Sequence, residues 1–280
     1  LLQVLYRSLR LTLIQLIKEF EGIKPLHYKL YTGNIWMPRS IRIAMWSGPR
    51  NISTALMRSF ENRNDSYVTD EPFYAYFLKN SGELHPERDR ILNVQSSDWD
   101  EVSTMLSGDI PKNKSVWYQK HMAHHIFEHS NLEWTKDVVN CFLIRNPKEV
   151  INSYIKRFNL TNALQLGYNQ QLRIFNFLKN STGQTPVVLN AKDVLMNPKS
   201  QLQGLCAKLG IEFTVDMLSW PSGKRDTDGV WAPHWYSEVE KTTGFQPYSY
   251  ANTTLEDKWS EIYKKCLSDY DLLNSFRMKP

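Results

Sequence analysis

The sequence predicts a three-layer α/β/α fold with a central, mostly parallel sheet of about five strands. Two observations support this fold class. Short apolar runs alternate along the chain with segments of helical periodicity, an order typical of parallel sheets that are covered by helices on both faces. The run at 138–144 is apolar at almost every position, as expected for a strand in the middle of such a sheet.

In the first half of the chain, the apolar run at 41–46 is predicted to be the first strand because it ends at Gly48-Pro49. A polar loop follows it, and 54–61 then has a helical pattern. The alternating run at 66–69 is predicted to be the second strand. The other elements predicted for this half are two or three short helices within 72–106 and a third strand at 115–119.

In the second half, the buried strand at 138–144 leads into Asn146-Pro147, and a proline in the first turn favours the start of a helix there. Helical periodicity covers 147–157 and 164–179, and 186–189 is predicted to be the fifth strand. The last predicted elements are a helix at 198–209 with Gly210 in the C-cap position, an irregular region at 221–244 that is rich in Trp and charge, and a helix at about 255–272.

We expect one α/β domain over residues 37–280, preceded by an N-terminal helical extension over residues 1–36. No linker rich in Pro, Gly or Ser divides the chain, and 280 residues are enough for one substantial core. The apolar run at 11–17 is shorter than the roughly 20 residues that a membrane span needs. The extension is expected to be an amphipathic helix on the body or a poorly ordered, non-native segment, with a trimmed membrane anchor as the other alternative. The native start could be Met37.

Composition narrows the classes of partner. The net charge is +5, and Lys and Arg are spread along the whole chain, which argues against a nucleic-acid binder and suits a polyanionic small ligand. The three cysteines, Cys141, Cys206 and Cys266, are widely spaced, which argues against a zinc site and against a disulfide framework. A reducing, cytoplasmic location is therefore expected. The oligomeric state is not readable from the sequence.

The loop after the first strand is the first candidate site, because ligands of open α/β sheets bind at the carboxyl ends of the strands. A loop that opens a helix offers free backbone N–H groups and the positive end of the helix dipole. Arg50 adds a charge, and Ser53 and Thr54 add hydroxyls. The alternative is an ordinary helix start capped by Ser47 or Ser53. The loop lacks the G-x-x-x-x-G-K-[ST] pattern of nucleoside-triphosphate sites.

The stretch Pro49-Arg50-Asn51-Ile52-Ser53-Thr54-Ala55-Leu56 resembles the loop of cytosolic sulfotransferases, which reads roughly Pro-Lys-Ser-Gly-Thr-Thr-x-Leu after the first strand. Arg50 stands where the family has Lys, and Ile52 where it has Gly. The resemblance implies a divergent member of the PAPS-dependent sulfotransferases with a P-loop NTPase-like fold. It implies donor binding by Pro49, Arg50, Asn51, Ile52, Ser53 and Thr54, with 3′-phosphoadenosine 5′-phosphosulfate (PAPS) as donor and the bisphosphate PAP as product.

A second match follows the most apolar strand. In the same family, an Arg at the end of this strand and a Ser eight residues later bind the 3′-phosphate of the donor, and Arg145 and Ser153 have this spacing. Eight residues cover just over two helical turns, so a ligand beside the helix can touch both residues. The alternative is that Arg145 simply pairs with a carboxylate such as Glu149.

A third match lies in the late loop. The stretch 224–235 resembles the family pattern Arg-Lys-Gly-x-x-Gly-x-Trp-x-x-His-Phe, and the residues that keep the spacing are Lys224, Arg225, Gly229, Trp231 and His234. The resemblance implies that Lys224 and Arg225 close over the 3′-phosphate and that Trp231 lies in the donor site. Asp226 replaces the first Gly of the pattern. The alternative is a flexible surface loop.

Two residues are candidates for the catalytic base. Carbohydrate and protein sulfotransferases often use a Glu after the second strand, where this chain has Glu71. Cytosolic sulfotransferases use the His of a Lys-x-His motif after the third strand, where this chain has His121 directly after Lys120, so that His124 is an alternative counterpart. Otherwise Glu71 would be a carboxylate at a helix start, and the histidines a metal cluster or plain surface.

These features together predict transfer of a sulfuryl group from PAPS to a hydroxyl, or an amine, of a small or medium acceptor. Arg50 is expected to stabilise charge on the departing phosphate oxygen. No metal is expected, because the transferred group is less anionic than a phosphoryl group. Aromatic residues suggest a sugar-stacking or apolar wall for the acceptor, namely Phe73, Tyr74, Trp231, Trp235 and Tyr236. The alternatives are a degenerate P-loop kinase and a non-catalytic nucleotide-binding protein.

Overall fold

The computed structural model describes residues 40–249 and 254–279. The strands, in chain order, are β1 (Ile41–Ser47), β2 (Ser66–Asp70), β3 (Val116–Met122), β4 (Val139–Ile144) and β5 (Val187–Asn190). They form one sheet in the order β2-β3-β1-β4-β5, and every neighbouring pair is parallel. The first strand of the chain therefore lies in the middle of the sheet.

Helices connect these strands. In chain order they are α1 (Ser53–Glu61), α2 (Tyr74–Ser81), α3 (Arg88–Val94), α4 (Trp99–Ser107), α5 (Pro147–Tyr154), α6 (Tyr168–Thr182), α7 (Ala191–Met196), α8 (Pro198–Leu209), α9 (Ala232–Trp235) and α10 (Ser260–Ser275). Helix α8 ends where the sequence predicts, at a glycine with a left-handed conformation, Gly210 with φ 68°. Such a residue closes a helix without the strain that a Cβ would cause.

The sheet has a core on each face because side chains of a strand alternate in direction. Ile43 and Met45 of β1 pack with buried residues of α1 and α8 on one face. Ala44 and Trp46 pack with buried residues of α5, α6 and α10 on the other. The predicted three-layer α/β/α fold with a parallel sheet of five strands is thus confirmed.

The register of the sheet brings several loops to the same edge. Trp46, one residue before the end of β1, lies beside His121 of β3 and Phe142 of β4. The segments after β1, β3 and β4 consequently leave the sheet side by side at its carboxyl edge. This is the edge at which open α/β sheets bind ligands.

Several predicted elements differ from the structure. The helix predicted at 147–157 ends at Tyr154, and the one predicted at about 255–272 runs over Ser260–Ser275. Strand β3 runs to Met122, three residues beyond the predicted end, so His121 belongs to the strand and not to the loop that follows it. The helix predicted at 164–179 is interrupted at Gly167, whose φ of 75° ends a short turn, and α6 begins at Tyr168. Helical periodicity continued through the interruption because both pieces bury apolar residues against the same core.

The helix predicted within residues 1–36 lies outside the described residues, and the domain boundary at 36–37 stays a prediction. Within residues 40–249 and 254–279, no helix is long and apolar enough to cross a bilayer.

Candidate functional site

A cavity of about 660 Å³ lies at the carboxyl edge of the sheet. Its walls come from the segments after β1, β2, β3 and β4 and from residues 238–249. A volume of this size is in the range of small-molecule sites, about 300–1,000 Å³. The residues predicted from sequence that line it are Pro49, Arg50, Asn51, Ile52, Ser53, Thr54, Glu71, Arg145 and Ser153, together with the alternative base His124. Of the aromatic residues predicted as an acceptor wall, Tyr74, Trp235 and Tyr236 also line it, whereas Phe73 is buried in the core.

The loop after β1 presents the uncapped start of α1 to this cavity. The N-cap position is Ile52, and no side chain caps the helix, so the alternative in which Ser47 or Ser53 is the cap is wrong. Asn51 instead ties the loop to the sheet, because its side-chain amide donates to the carbonyl oxygen of Leu143 at 2.9 Å. The first N–H groups of α1 and the positive end of its dipole therefore lie at the cavity wall, an arrangement that binds anions.

The structure also explains how Ile52 fits where the resemblance would place a glycine. Ile52 has φ −89°, which any residue adopts, and its side chain packs against the core on the α1 face. The left-handed conformation falls two residues earlier, on Arg50 with φ 56°. A non-glycine residue held there is strained, and such strain is concentrated at functional sites.

A basic group lies beside the start of α1. The Arg50 guanidinium donates to the Ser153 hydroxyl at 3.0 Å, and the Arg145 guanidinium donates to the carbonyl oxygen of Arg50 at 3.0 Å. Burial lowers the pKa of Arg50, and the neighbouring cations Arg157 and Arg145 lower it further. Several positive groups thus converge where the cavity meets α1 and α5, as an anion site requires.

Arg145 also forms the ion pair with Glu149 that was the alternative interpretation of this residue. Its Nε lies 2.9 Å from a carboxylate oxygen of Glu149, one turn along α5, and the Tyr248 hydroxyl donates to the other oxygen at 2.7 Å. The two readings are therefore compatible, because Glu149 holds Arg145 in place at the cavity wall while the guanidinium still lines it.

A second polar group lies at the end of β2 and β3. The buried Lys120 ammonium lies 2.8 Å from an oxygen of Asp70, 2.5 Å from an oxygen of Glu71 and 2.7 Å from the hydroxyl of Tyr236. The Tyr236 hydroxyl donates to the second Asp70 oxygen at 2.6 Å. Two carboxylates thus share one cation, and Glu71 faces the cavity.

Burial raises the pKa of Glu71, and the charge of Asp70 adds to this, although Lys120 opposes both. Burial alone would lower the pKa of Lys120, but Asp70 and Glu71 more than offset it, so its pKa is raised and the ammonium is retained. A carboxylate with a raised pKa at a cavity wall is suited to accept a proton near neutral pH.

His121 does not reach the cavity. It points to the opposite face of the sheet from Lys120, where its ring stacks on Trp46 with centroids 4.3 Å apart and one ring nitrogen lies 3.3 Å from the Gln119 side chain. Burial lowers the pKa of His121 to about 3. His124, which does line the cavity, has its pKa lowered to about 3 for the same reason.

The late loop is placed differently from the expectation. Lys224 and Arg225 do not line the cavity, and Arg225 lies 3.7 Å from Glu61 at the far end of α1. Trp231 is buried, packed edge-on against Tyr74 at 4.9 Å. A Cβ on Gly229 would lie 2.1 Å from the Trp231 ring, so the spacing Gly-x-Trp in this chain serves packing.

The sequence did not predict the residues that line the cavity in place of Lys224 and Arg225. Lys241 and Thr242 line the cavity, as do Gln246 and Tyr248 a few residues later. The pattern Lys241-Thr242-Thr243-Gly244, a base followed by hydroxyls and a glycine, was the available signal. The contact between Lys120 and Tyr236 was also missed. The two residues are 116 positions apart, and nothing in the sequence shows that their side chains are in contact.

Within the described ranges, no group of three or more His, Cys, Asp and Glu side chains is arranged to hold a metal ion.

Comparison with known proteins identifies the family. The Sulfotransferase domain family matches residues 41–258. Two curated proteins of Arabidopsis thaliana are similar in sequence. Branched-chain-amino-acid aminotransferase-like protein 1 is 34% identical over 235 residues, covering 83% of this chain and 41% of that protein. Branched-chain-amino-acid aminotransferase-like protein 2 is 32% identical over 232 residues, with 82% and 41% covered. The chain thus spans less than half the length of these relatives.

Two solved structures share the fold. The sulfotransferase domain from the curacin biosynthetic pathway has a TM-score of 0.50 at 16% identity, and the match covers 83% of this chain and 99% of that one. A sulfotransferase from Alicyclobacillus acidocaldarius has a TM-score of 0.50 at 11% identity, with 85% and 97% covered. The family match extends over the sheet and the cavity described above, and the chain therefore belongs to the Sulfotransferase domain family.

Proposed function

We propose that this protein transfers a sulfuryl group from PAPS to a hydroxyl, or an amine, of a small or medium acceptor. The observation that carries the proposal is the uncapped start of α1, which opens beside Arg50, Arg145 and Ser153 into the cavity that also contains Glu71. Anion-binding groups and a carboxylate with a raised pKa are thereby present in one cavity. Family membership supports the reaction class.

The charge and the volume of the cavity support this donor. The N–H groups at the start of α1 with Ser53, Thr54 and Arg50 would hold its 5′-phosphosulfate end. Arg145, with Ser153 two turns along α5, would hold its 3′-phosphate, and Glu149 would keep Arg145 in place. Lys241 and Thr242 replace Lys224 and Arg225 as the candidate groups from the late part of the chain. The donor supplies the sulfuryl group, and the protein supplies position and charge.

Glu71 is the proposed base. Its carboxylate lies at the cavity wall and its pKa is raised by burial, whereas His121 lies in the core and the pKa of His124 is too low for a base at neutral pH. The acceptor hydroxyl would give its proton to Glu71 as its oxygen forms a bond to sulfur and the bond from sulfur to the phosphate oxygen breaks. Arg50 would stabilise the charge left on that oxygen.

A calorimetric titration with PAP, compared with ADP and Mg²⁺, tests the donor class. We expect PAP to bind and ADP with Mg²⁺ to bind much more weakly, because only PAP carries the 3′-phosphate that Arg145 and Ser153 would bind. Binding of ADP with Mg²⁺ in preference to PAP would contradict the proposal and favour the degenerate kinase. Binding of PAP without acceptor-dependent release of PAP from PAPS, across a panel of alcohols and amines, would favour the non-catalytic protein.

Arg145→Ala is expected to weaken binding of PAP by about 10–100-fold, since a hydrogen bond to a charged group contributes about 1.5–3 kcal/mol. Binding of AMP, which lacks the 3′-phosphate, should change by no more than about threefold, that is by about 0.7 kcal/mol. Calorimetry on both ligands measures the difference. Arg90→Ala is a suitable control, since Arg90 is 62% exposed on α3. Equal losses for PAP and AMP would argue against a 3′-phosphate role.

A further inference from the structure

A second cavity of about 370 Å³ adjoins the first one. The two share His85, His124 and Tyr154 in their walls. Glu71 lies close to this junction, because its carboxylate is 4.0 Å from His125, whose ring centroid is 4.5 Å from that of His124. Glu71 lines only the first cavity, so a molecule in the second one would have to reach it through this junction while the donor occupies the first.

We propose that this second cavity binds the acceptor and that it selects a hydroxylated amine, with the hydroxyl towards Glu71 and a protonated amine at the rim. The inference rests on the proposed function. It names the chemical class of the acceptor from the polar groups, the charges and the rings that line the cavity.

Two residues that line the second cavity have a buried polar atom without a partner among the described residues. The Gln170 amide nitrogen donates to the carbonyl oxygen of Leu164 at 3.0 Å, while its side-chain oxygen is buried and has no partner among the described residues. Nδ1 of His124 is likewise buried without a partner in this part of the chain, and the low pKa of His124 keeps its ring neutral. A buried polar atom without a partner is costly, so a ligand that can exchange hydrogen bonds with Gln170 and His124 is favoured over a wholly apolar one.

The positive charge in the cavity wall is already hydrogen-bonded to backbone carbonyl groups. The Arg173 guanidinium donates to the backbone carbonyl oxygens of Phe127 and Glu128 at 2.7 and 3.0 Å. It therefore offers little to an anionic ligand, although it is the only Lys or Arg among the described residues that line this cavity. His85, also in the wall, has its pKa lowered by burial, which favours its neutral form.

Two carboxylates line the same cavity as that single guanidinium. Glu83 and Glu128 lie at the exposed rim, and neither forms an ion pair with another described residue. The charge of Glu128 acts on Arg173, and that of Glu83 acts on His85 and Tyr154. Glu83 is consequently the carboxylate without a compensating cation. A ligand ammonium would supply one, and a ligand carboxylate would be repelled.

Aromatic rings complete the wall. Phe77 and Phe127 are stacked with centroids 6.0 Å apart, and Tyr154 lies at the junction of the two cavities. Ring faces bind an apolar ligand body and attract an ammonium group by the cation–π effect. An apolar or saturated ring with a hydroxyl at one end and an ammonium at the other matches the order of groups from Glu71 to Glu83.

Three ligands of one size separate the possibilities: trans-4-aminocyclohexanol, cyclohexane-1,4-diol and trans-4-hydroxycyclohexanecarboxylate. Binding is measured by calorimetry on the protein saturated with PAP, and again without PAP. We expect the amine to bind about threefold more tightly than the diol, as an ion pair at an exposed position predicts, and the carboxylate to bind most weakly. Glu83→Gln should remove the preference for the amine, since it removes the charge and changes little volume.

Glu261→Gln is the matched control, because Glu261 lies 78% exposed on α10 and outside both cavities; it should leave the preference unchanged. Equal binding of the amine and the diol would overturn the inference, as would a preference that survives Glu83→Gln or a failure of all three ligands to bind. A failure of PAP to bind would instead overturn the proposed function, and the preference measured without PAP would still decide the class of ligand.

Discussion

At the scale of single residues, Glu71 shows how its neighbours set its chemistry. Asp70 precedes it in the chain, Lys120 lies on the adjacent strand, and Tyr236 comes from the late part of the chain. Burial and the Asp70 charge raise the pKa of Glu71, while Lys120 and Tyr236 lower it. The carboxylate is thus held between opposing influences, and each partner can be removed separately.

Asp70→Asn is expected to lower the pKa of Glu71, because the variant removes a neighbouring negative charge and leaves Lys120 to Glu71. Tyr236→Phe is expected to raise it, because the hydroxyl that stabilises the ionised cluster is lost. NMR titration of selectively labelled glutamate side chains measures both shifts without an acceptor. Shifts of the same sign in the two variants would contradict this account of the cluster.

The residues of β3 show where sequence reasoning succeeds and where it fails. The histidine motif was predicted to follow the third strand, but the strand continues to Met122 and contains His121. Side chains of a strand alternate in direction, so one residue of register decides between Lys120 at the site and His121 in the opposite core. A sequence pattern of three polar residues cannot fix that register, since either choice buries polar groups.

At the scale of elements, the loop after β1 was predictable in position and chemistry but not in conformation. The strand, the helix and the basic and hydroxyl residues between them follow from local pattern. The left-handed Arg50 and the core packing of Ile52 do not, because they depend on β4 and α8, which lie far along the chain. The prediction for Lys224 and Arg225 was wrong for a similar reason. The packing of Trp231 and the contacts of Asp228 decide which basic residues of the late segment reach the cavity.

Gly48 fixes the position of this loop against the turn before α6. A Cβ on Gly48 would lie 2.3 Å from the carbonyl oxygen of Leu166, a backbone atom that cannot move without the turn. Gly48→Ala is therefore expected to lower the free energy of unfolding by about 1–3 kcal/mol, the usual cost of overpacking, and to weaken PAP binding. Urea unfolding and calorimetry measure the two effects.

Gly183→Ala is the comparison for this loop. Gly183 has φ 69° but open space around its Cα, so its substitution carries only the conformational cost of a left-handed alanine, about 1 kcal/mol, and should not affect PAP binding. If Gly48→Ala bound PAP as tightly as the unaltered protein, the close approach between the loop and the turn would have no role in the site.

At the scale of the whole molecule, the fold class followed from the order of strands and helices because that order reflects local periodicity and the handedness of parallel connections. The position of the site could also be predicted in part from the sequence, because the topology brings the loops after β1, β2 and β4 to one edge of the sheet whatever residues they contain. The arrangement of the side chains that line the cavities could not be predicted. They depend on contacts between residues 71, 120 and 236, and such long-range pairs leave no mark in one sequence.

The buried histidines give the whole molecule a dependence of stability on pH. Burial lowers the pKa of His121 and of His124 to about 3, and that of His125 well below its usual value. The unfolded chain binds these protons near pH 6.5 and the folded one does not, so the stability is present above pH 6.5 and falls as the pH falls towards 3. The raised pKa of Glu71 acts in the opposite direction, but it is one group against three.

Between pH 7.5 and 5.5, each buried histidine should lower the free energy of unfolding by about 1.4 kcal/mol, and the three together by about 4 kcal/mol. Urea unfolding at the two pH values measures the loss. His121→Gln removes one titrating ring from the core, so the variant, though less stable at pH 7.5, should lose only about two thirds as much on acidification. Equal unfolding free energies at pH 7.5 and 5.5 would mean that the histidines gain protons in the folded protein, and the neutral cores around Trp46 and Phe77 would then have to open to water.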